Sequence, residues 1–444
     1  MIMSRSGRKT LSRAAGVLLA IVFSLGALCT GSCVRSEGGI MNKSLYGLHV
    51  EEDGTVTLCG EPFYGFGVNY FGAYARYAET DTQSTKEFTE GLAGLASYNV
   101  PFVRFPLGGY YPSYYEVYDS EPEKLFSYMK TVLDECAANR IGVIASLMWW
   151  DPAMAAHLGA KRSDMGRPSS RLVKYAKKYV EDVVSRFADH PAVWGWEIGN
   201  EYNLNADLCD KELKYFLWPD GIPGMPSLED VNGFDYYTSG ELRTFYTEIA
   251  RVIRKYDGYR MITTGNGEMR PYAYSISSDS KAMDKKTHLW DLSWKADTRG
   301  QFDEMNAYLT PDPVDTVCFH LQSGSADGSN EYVLAFDVFG GSLDSEEYFK
   351  AYYEIAKKLK KACFFGEFGD MLDMETAPDV IEKFRTVTDA ISASGIQIAA
   401  LWQFQDYTDE GVSGEKLTVL SELNADLKEL GRQNCERYWE RAGG

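Results

Sequence analysis

Histidine is scarce, at five copies, and His49, His157, His190, His288 and His320 show no paired spacing of the kind that clasps a metal ion. Cysteine is equally unhelpful to a metal or a disulfide framework. Beyond residue 33 it occurs only as the scattered Cys59, Cys136, Cys209, Cys318, Cys363 and Cys435, read as mostly buried small apolar side chains, with one disulfide still allowed. Basic charge is short as well. Lys and Arg number 45 against 64 Asp and Glu, a formal charge of −19, so nucleic acid and other polyanions are repelled while neutral polymers are not. No glycine-rich phosphate loop follows an early strand, because Gly65-Phe66-Gly67 lacks the third glycine and the helix after it. That weighs against an open doubly wound sheet. Long apolar runs are missing too: the longest, Ala14 to Leu28, has 15 residues, too few for an ordinary membrane span.

That run has the form of an export signal. Arg5, Arg8, Lys9 and Arg13 precede it and small residues end it. Thr30-Gly31-Ser32-Cys33 then resembles a bacterial lipobox, with Thr30 in place of the usual Leu. The expectation is a signal peptide over residues 1–32, lipidation at Cys33, and a short polar tether over residues 33–44. This describes an exported bacterial lipoprotein, periplasmic or at the cell surface, held to the membrane by its lipid alone. An ordinary cleaved signal and a single-pass anchor are the alternatives. Loss of the leader's four positive charges takes the mature chain to about −23.

What the chain does have is alternation. Leu45 to Leu58, with Asp53-Gly54 at its turn, reads as a β-hairpin. Apolar strand-like runs then end at Val68, Phe105, Met148, Ile198, Thr264, Phe319, Gly366 and Trp402. Amphipathic stretches follow nearly all of them: Thr85 to Ser97, Glu121 to Asn139, Ser170 to Ala188, Gly240 to Tyr256, Thr298 to Leu309, Ser345 to Lys361, Pro378 to Ser394 and Lys416 to Trp439. Eight strands each followed by a helix predict an α/β fold, a single (β/α)8 TIM barrel over residues 45–444, with the hairpin plugging its lower end. The longest loops, Asn203 to Asp235 and Asn266 to Leu289, follow strands, where a barrel binds substrate.

Two isolated carboxylates stand at such strand ends: Glu201 after Val193 to Ile198, and Glu367 after Ala362 to Gly366. Cleavage of a glycosidic bond needs such a pair, one protonated to release the departing oxygen and one ionised to meet the charge growing at the anomeric carbon. Arg104, inside the apolar strand Pro101 to Phe105, needs a buried carboxylate partner and is the natural cation to hold Glu367 ionised. Asn200 is placed to hold a substrate hydroxyl. Trp402 can floor the sugar site and His320 can orient Glu367. Trp149, Trp150 and Asp151, with Tyr70 and Phe71, are candidates for binding subsites. Glu197 is expected to face outward or into the barrel core.

Arg104 on strand two, Trp196 to Glu201 on strand four, His320 on strand six, Glu367 among aromatics and glycines on strand seven and Trp402 on strand eight resemble, in that order, clan A of the glycoside hydrolases. Within it the chain is most similar to glycoside hydrolase family 5, the cellulase and mannanase family. The resemblance implies retaining double displacement on a β-linked glycan such as a β-mannan or β-glucan, without cofactor or metal. It makes Glu201 the acid/base, Glu367 the nucleophile and Asn200 the holder of the 2-hydroxyl. The chain departs from the family at Tyr202, usually Pro, at Met148-Trp149-Trp150, often a His motif, and at Gln322, usually Tyr. Two other functions fit the same residues: a transglycosylase, and a surface glycan-binding lipoprotein without turnover.

Overall fold

The structure of the protein is a computed structural model that describes residues 45–78, 84–208, 235–281, 291–322, 335–369, 379–404 and 412–443. The expected leader, Cys33 and the tether lie outside the described residues, as do Cys209, most of the loop from Asn203 to Asp235 and the last third of that from Asn266 to Leu289.

Eight parallel strands close into one barrel: β1 (Gly65–Asn69), β2 (Phe102–Pro106), β3 (Gly142–Met148), β4 (Val193–Gly199), β5 (Met261–Thr263), β6 (Thr316–Gln322), β7 (Ala362–Gly369) and β8 (Ile398–Trp402). Each pairs with its neighbours in sequence, and β8 pairs back to β1. Covered on both faces, the strands read as continuous apolar runs, and every residue of β3, β4 and β7 is buried.

The outer ring is α1 (Lys86–Ser97), α2 (Pro122–Ala138), α3 (Arg171–Phe187), α4 (Ser239–Tyr256), α5 (Arg299–Tyr308), α6 (Ser345–Leu359), α7 (Val380–Ser394) and α8 (Val412–Glu429). In α3 the apolar residues Leu172, Val173, Ala176, Tyr179, Val180, Val183, Val184 and Phe187 form one buried stripe at helical spacing. The Ser170 side chain caps its start by accepting from the Val173 N–H at 3.1 Å. Reciprocal caps open α4, α5 and α6 through Thr238 and Glu241, Thr298 and Gln301, and Asp344 and Glu347. The stretch read as one helix from Lys416 to Trp439 is two. Gly431, at φ +68°, ends α8 in the left-handed conformation, Arg432 N–H returns to the Leu427 carbonyl, and a second helix runs over Cys435–Ala442. Among the described residues no helix is long and apolar enough to cross a membrane.

The hairpin forms as expected, pairing Leu48 with Leu58 and Val50 with Val56, and continues into a third strand, Glu61–Pro62. It closes the lower end of the barrel. Gln397, just before β8, exchanges hydrogen bonds with the backbone of Val56, and His49 bridges to Arg260 just before β5. The upper rim is left to chemistry.

Candidate active site

Strand alternation decides which side chains reach the barrel axis. On β1 Asn69 points inward, so Tyr70 must point out. Its ring is 1% exposed, packs edge-on against Phe404 with centroids 5.0 Å apart, and directs its hydroxyl at Gly91 of α1. Tyr70 is therefore a wall residue and not the substrate contact expected, while Phe71 takes the cleft side next to Trp149 and Trp402. Asp151 is also withdrawn, accepting from Arg162 at 2.6 Å and Tyr237 at 3.0 Å, where it ties loops together.

On β6 the strand runs past its expected end at Phe319, so Cys318 and His320 both face inward. On β7 simple alternation would put Glu367 outside, because Phe365 stacks outward on Phe319. The pairing to β6 slips between Phe365 and Glu367, leaving Gly366 as an extra residue, and this bulge turns Glu367 inward opposite His320. Gly366 must be glycine for the ring to fit: a Cβ there would lie 2.5 Å from His320 Nε2.

Arg104 is the centre of the site. All five of its N–H groups donate: Nε and Nη2 to the two oxygens of Glu197, each at 2.8 Å; Nη2 also to Asn200 Oδ1 at 2.7 Å; and Nη1 to Asn69 Oδ1 at 2.8 Å and Glu367 Oε1 at 2.7 Å. Glu197 is thus resolved to the barrel core as the forked partner of a fully buried Arg104. The indole of Trp149, itself buried, lies under the guanidinium at 4.4 Å and behind Trp402, with centroids 6.3 Å apart. Trp402 keeps partial exposure to the cleft.

Glu201 sits just past β4 with left-handed backbone, φ +56°, an uncommon conformation that for a non-glycine residue stores about 1–3 kcal/mol of strain. Its N–H is held by the Gly265 carbonyl at 2.7 Å and that of Asn200 by the Trp149 carbonyl at 3.0 Å. Tyr202, where proline was the family expectation, donates its hydroxyl to the Met148 carbonyl and fixes the end of β4 to the end of β3. The Glu201 side chain remains 35% exposed, against 7% for Glu367.

Glu201, His320 and Glu367 converge. One side-chain donor or acceptor atom from each lies within 4.8 Å of the others, so the two carboxylates stand close together, as retention requires of a pair about 5–5.5 Å apart. His320 Nδ1 is 3.2 Å from Glu201 Oε1 and 3.4 Å from Glu367 Oε1. These are also donor types that bind divalent cations, but hydrogen bonding among them accounts for the arrangement.

Burial pulls the His320 pKa down to about 4, so the ring is neutral in neutral solution. Burial likewise raises the pKa of both carboxyls. The charge of Arg104 opposes this at each, but only Glu367 receives its hydrogen bond. Among the described side chains, which do not include that of Gln322 where a tyrosine was expected, Arg104 donates to Glu367.

The sequence from residue 61 to residue 407 matches the family model of the cellulases, glycosyl hydrolase family 5. The chain belongs to glycosyl hydrolase family 5. No curated relative matches the family 5 chain in sequence. Among solved structures it is similar to an endo-1,4-β-mannanase from Rhizomucor miehei, with 15% identity, a TM-score of 0.56, and coverage of 86% of this chain and 99% of that one. A family 5 mannosidase from the same organism shares 12% identity at a TM-score of 0.53, over 87% and 98% of the two chains. The β-mannanase of the blue mussel Mytilus edulis shares 14% at 0.51, over 86% and 97%. At these identities the likeness is one of fold.

Proposed function

We propose that this family 5 glycoside hydrolase cleaves a neutral β-linked polysaccharide, a β-mannan, by double displacement with Glu367 as nucleophile and Glu201 as acid/base. The observation that carries this is the facing carboxylate pair, of which only Glu367 is hydrogen-bonded to Arg104. The mannan preference is supported by the names of the mannanases and mannosidase that share the fold, and neutrality by the acidic charge of the chain.

In the first step Glu367 attacks the anomeric carbon as Glu201 gives its proton to the departing oxygen. The C–O bond breaks and a glycosyl ester on Glu367 forms. In the second, Glu201, now a base, takes a proton from water, which displaces the ester with a second inversion. Asn200 accepts from Arg104 through Oδ1, which leaves its Nδ2 to donate to the sugar 2-hydroxyl. Product anomers followed by NMR on mannan and glucan oligosaccharides test both stereochemistry and sugar; an initially α product would exclude this reaction.

Glu201→Ala is expected to slow substrates with poor leaving groups by about 10²–10⁴, and activated aryl glycosides far less in the first step. The alkaline limb of the rate profile, where wild-type Glu201 loses its proton, should vanish. Azide should restore turnover of activated substrates and give a β-glycosyl azide. Equal losses on both substrate kinds would remove Glu201 from the role.

We also infer export and lipid anchoring from the leader and lipobox. Fatty-acid labelling of the full chain should report the modification, and Cys33→Ala should abolish the label and release the protein from membranes. A label retained in that variant would place the anchor elsewhere.

A further inference from the structure

His320 faces the two carboxylates with one nitrogen only, and the proton it carries there must be kept on that nitrogen. If the proton moved to Nε2, the Nδ1 lone pair would point at Glu201 Oε1 and Glu367 Oε1, 3.2 Å and 3.4 Å away. At rest that lone pair would face the negative oxygen of Glu367, and after the first step that of Glu201, with no proton between them. On the other side of the ring, Nε2 lies 3.6 Å from Cys318 Sγ, within reach of a sulfur hydrogen bond.

Cys318 and His320 are two residues apart on β6, so both point inward, and Gly366 makes room for both. A Cβ at Gly366 would lie 2.5 Å from Nε2 and 3.0 Å from Cys318 Sγ. The thiol is fully buried, and burial lifts its pKa well above the ordinary value, so it is an S–H group and not a thiolate. The nearby carboxylate of Glu197 has both oxygens engaged by Arg104. Thr263, at the end of β5, is the thiol's other hydrogen-bond partner, and on the side of the ring Nε2 is the acceptor within its reach. The charged and titratable groups around the imidazole are then Glu201, Glu367, Arg104, Glu197 and Cys318.

We propose that Cys318 is a positioning residue whose thiol donates to Nε2 of His320 and so fixes the proton on Nδ1, facing the catalytic pair. The inference rests on the assignment of Glu201 and Glu367 as that pair. The Nδ1 proton then turns toward whichever carboxylate is more negative: Glu367 in the resting enzyme, and Glu201 once it has given up its proton and Glu367 is esterified. The hydrogen bond follows the charge from one step to the next without any proton transfer through the ring.

Nitrogen-15 NMR tests this independently of activity, because the five histidines are few enough to assign and each tautomer has its own ring-nitrogen pattern. Wild-type and Cys318→Ser enzymes, both with a donor at this position, are expected to show His320 protonated on Nδ1. Cys318→Val fills a similar space without a donor. It should show a mixture of tautomers, with kcat lower by about two- to tenfold and KM nearly unchanged. A wild-type His320 protonated on Nε2, or a Val variant with the same tautomer and kcat as wild type, overturns the proposal. Loss of Nδ1 protonation in the Val variant of an enzyme that cleaves no glycan would sustain the tautomer role and sink the reading of function instead.

Discussion

Glu367→Gln is expected to lower turnover of an aryl β-glycoside by roughly four orders of magnitude or more, with the fold intact. The amide oxygen of Gln can still accept from Arg104 Nη1, and Arg104 keeps its forked partner Glu197, so no buried donor is orphaned. What disappears is the negative charge that must form a bond to the anomeric carbon. Glu367→Ala makes the test sharper, because it opens room for a small anion on the nucleophile's side of the sugar. Azide should then rescue cleavage of an activated β-glycoside and yield the α-glycosyl azide, the opposite anomer to that from Glu201→Ala. The two stereochemical outcomes assign the two carboxylates without relying on rates. A β product from the Glu367→Ala enzyme, or an unchanged rate for Glu367→Gln, would remove Glu367 as nucleophile.

The barrel was legible because its strands and helices carry periodicities that local sequence cannot hide, and because the carboxylates stand where those strands end. The side of the strand was harder to read. Glu367 turns inward only because Gly366 is an unpaired extra residue, and a bulge is a property of two strands together, one of them 46 residues earlier at Phe319 and His320. The face of Glu197 is hidden for the same kind of reason: its partner Arg104 is 93 residues away, and a salt bridge between β2 and β4 leaves no local mark. A buried arginine whose five donors outnumber the acceptors of a single carboxylate was nonetheless a signal that a second acid had to be found. Tyr70 was misplaced by composition, since an aromatic at a strand end suggests a subsite. Only the inward turn of Asn69 beside it shows that the ring belongs to the wall. Cys318 carried no signal of its own, because a thiol in an apolar strand reads as core until the ring next to it is seen.

Replacing Arg104 should be the most destructive single change. It is 0% exposed and neutralises Glu197, also 0% exposed, while bonding Glu367, Asn69 and Asn200. Arg104→Met removes the cation but leaves two buried carboxylates facing each other, and breaking a buried pair in this way costs about 3–5 kcal/mol. One acid then takes up a proton, because like charges this deep cannot both remain. If that acid is Glu367 the nucleophile is lost as well, so activity should fall by several orders of magnitude while KM for any residual turnover rises with the loosening of Asn200. Stability and catalysis can be separated with a second substitution. Arg104→Met with Glu197→Gln removes the buried charge that Arg104 chiefly served, and should recover roughly half of the lost stability. It should recover little of the activity, because Glu367 is freed from the like charge of Glu197 but still lacks the hydrogen bond that favours its ionised form. Denaturant midpoints and aryl glycoside rates on the single and double variants decide the matter. A loss below about 1 kcal/mol for Arg104→Met, the size of an exposed ion pair, would show that the five-bond network does not hold the catalytic end of the barrel together.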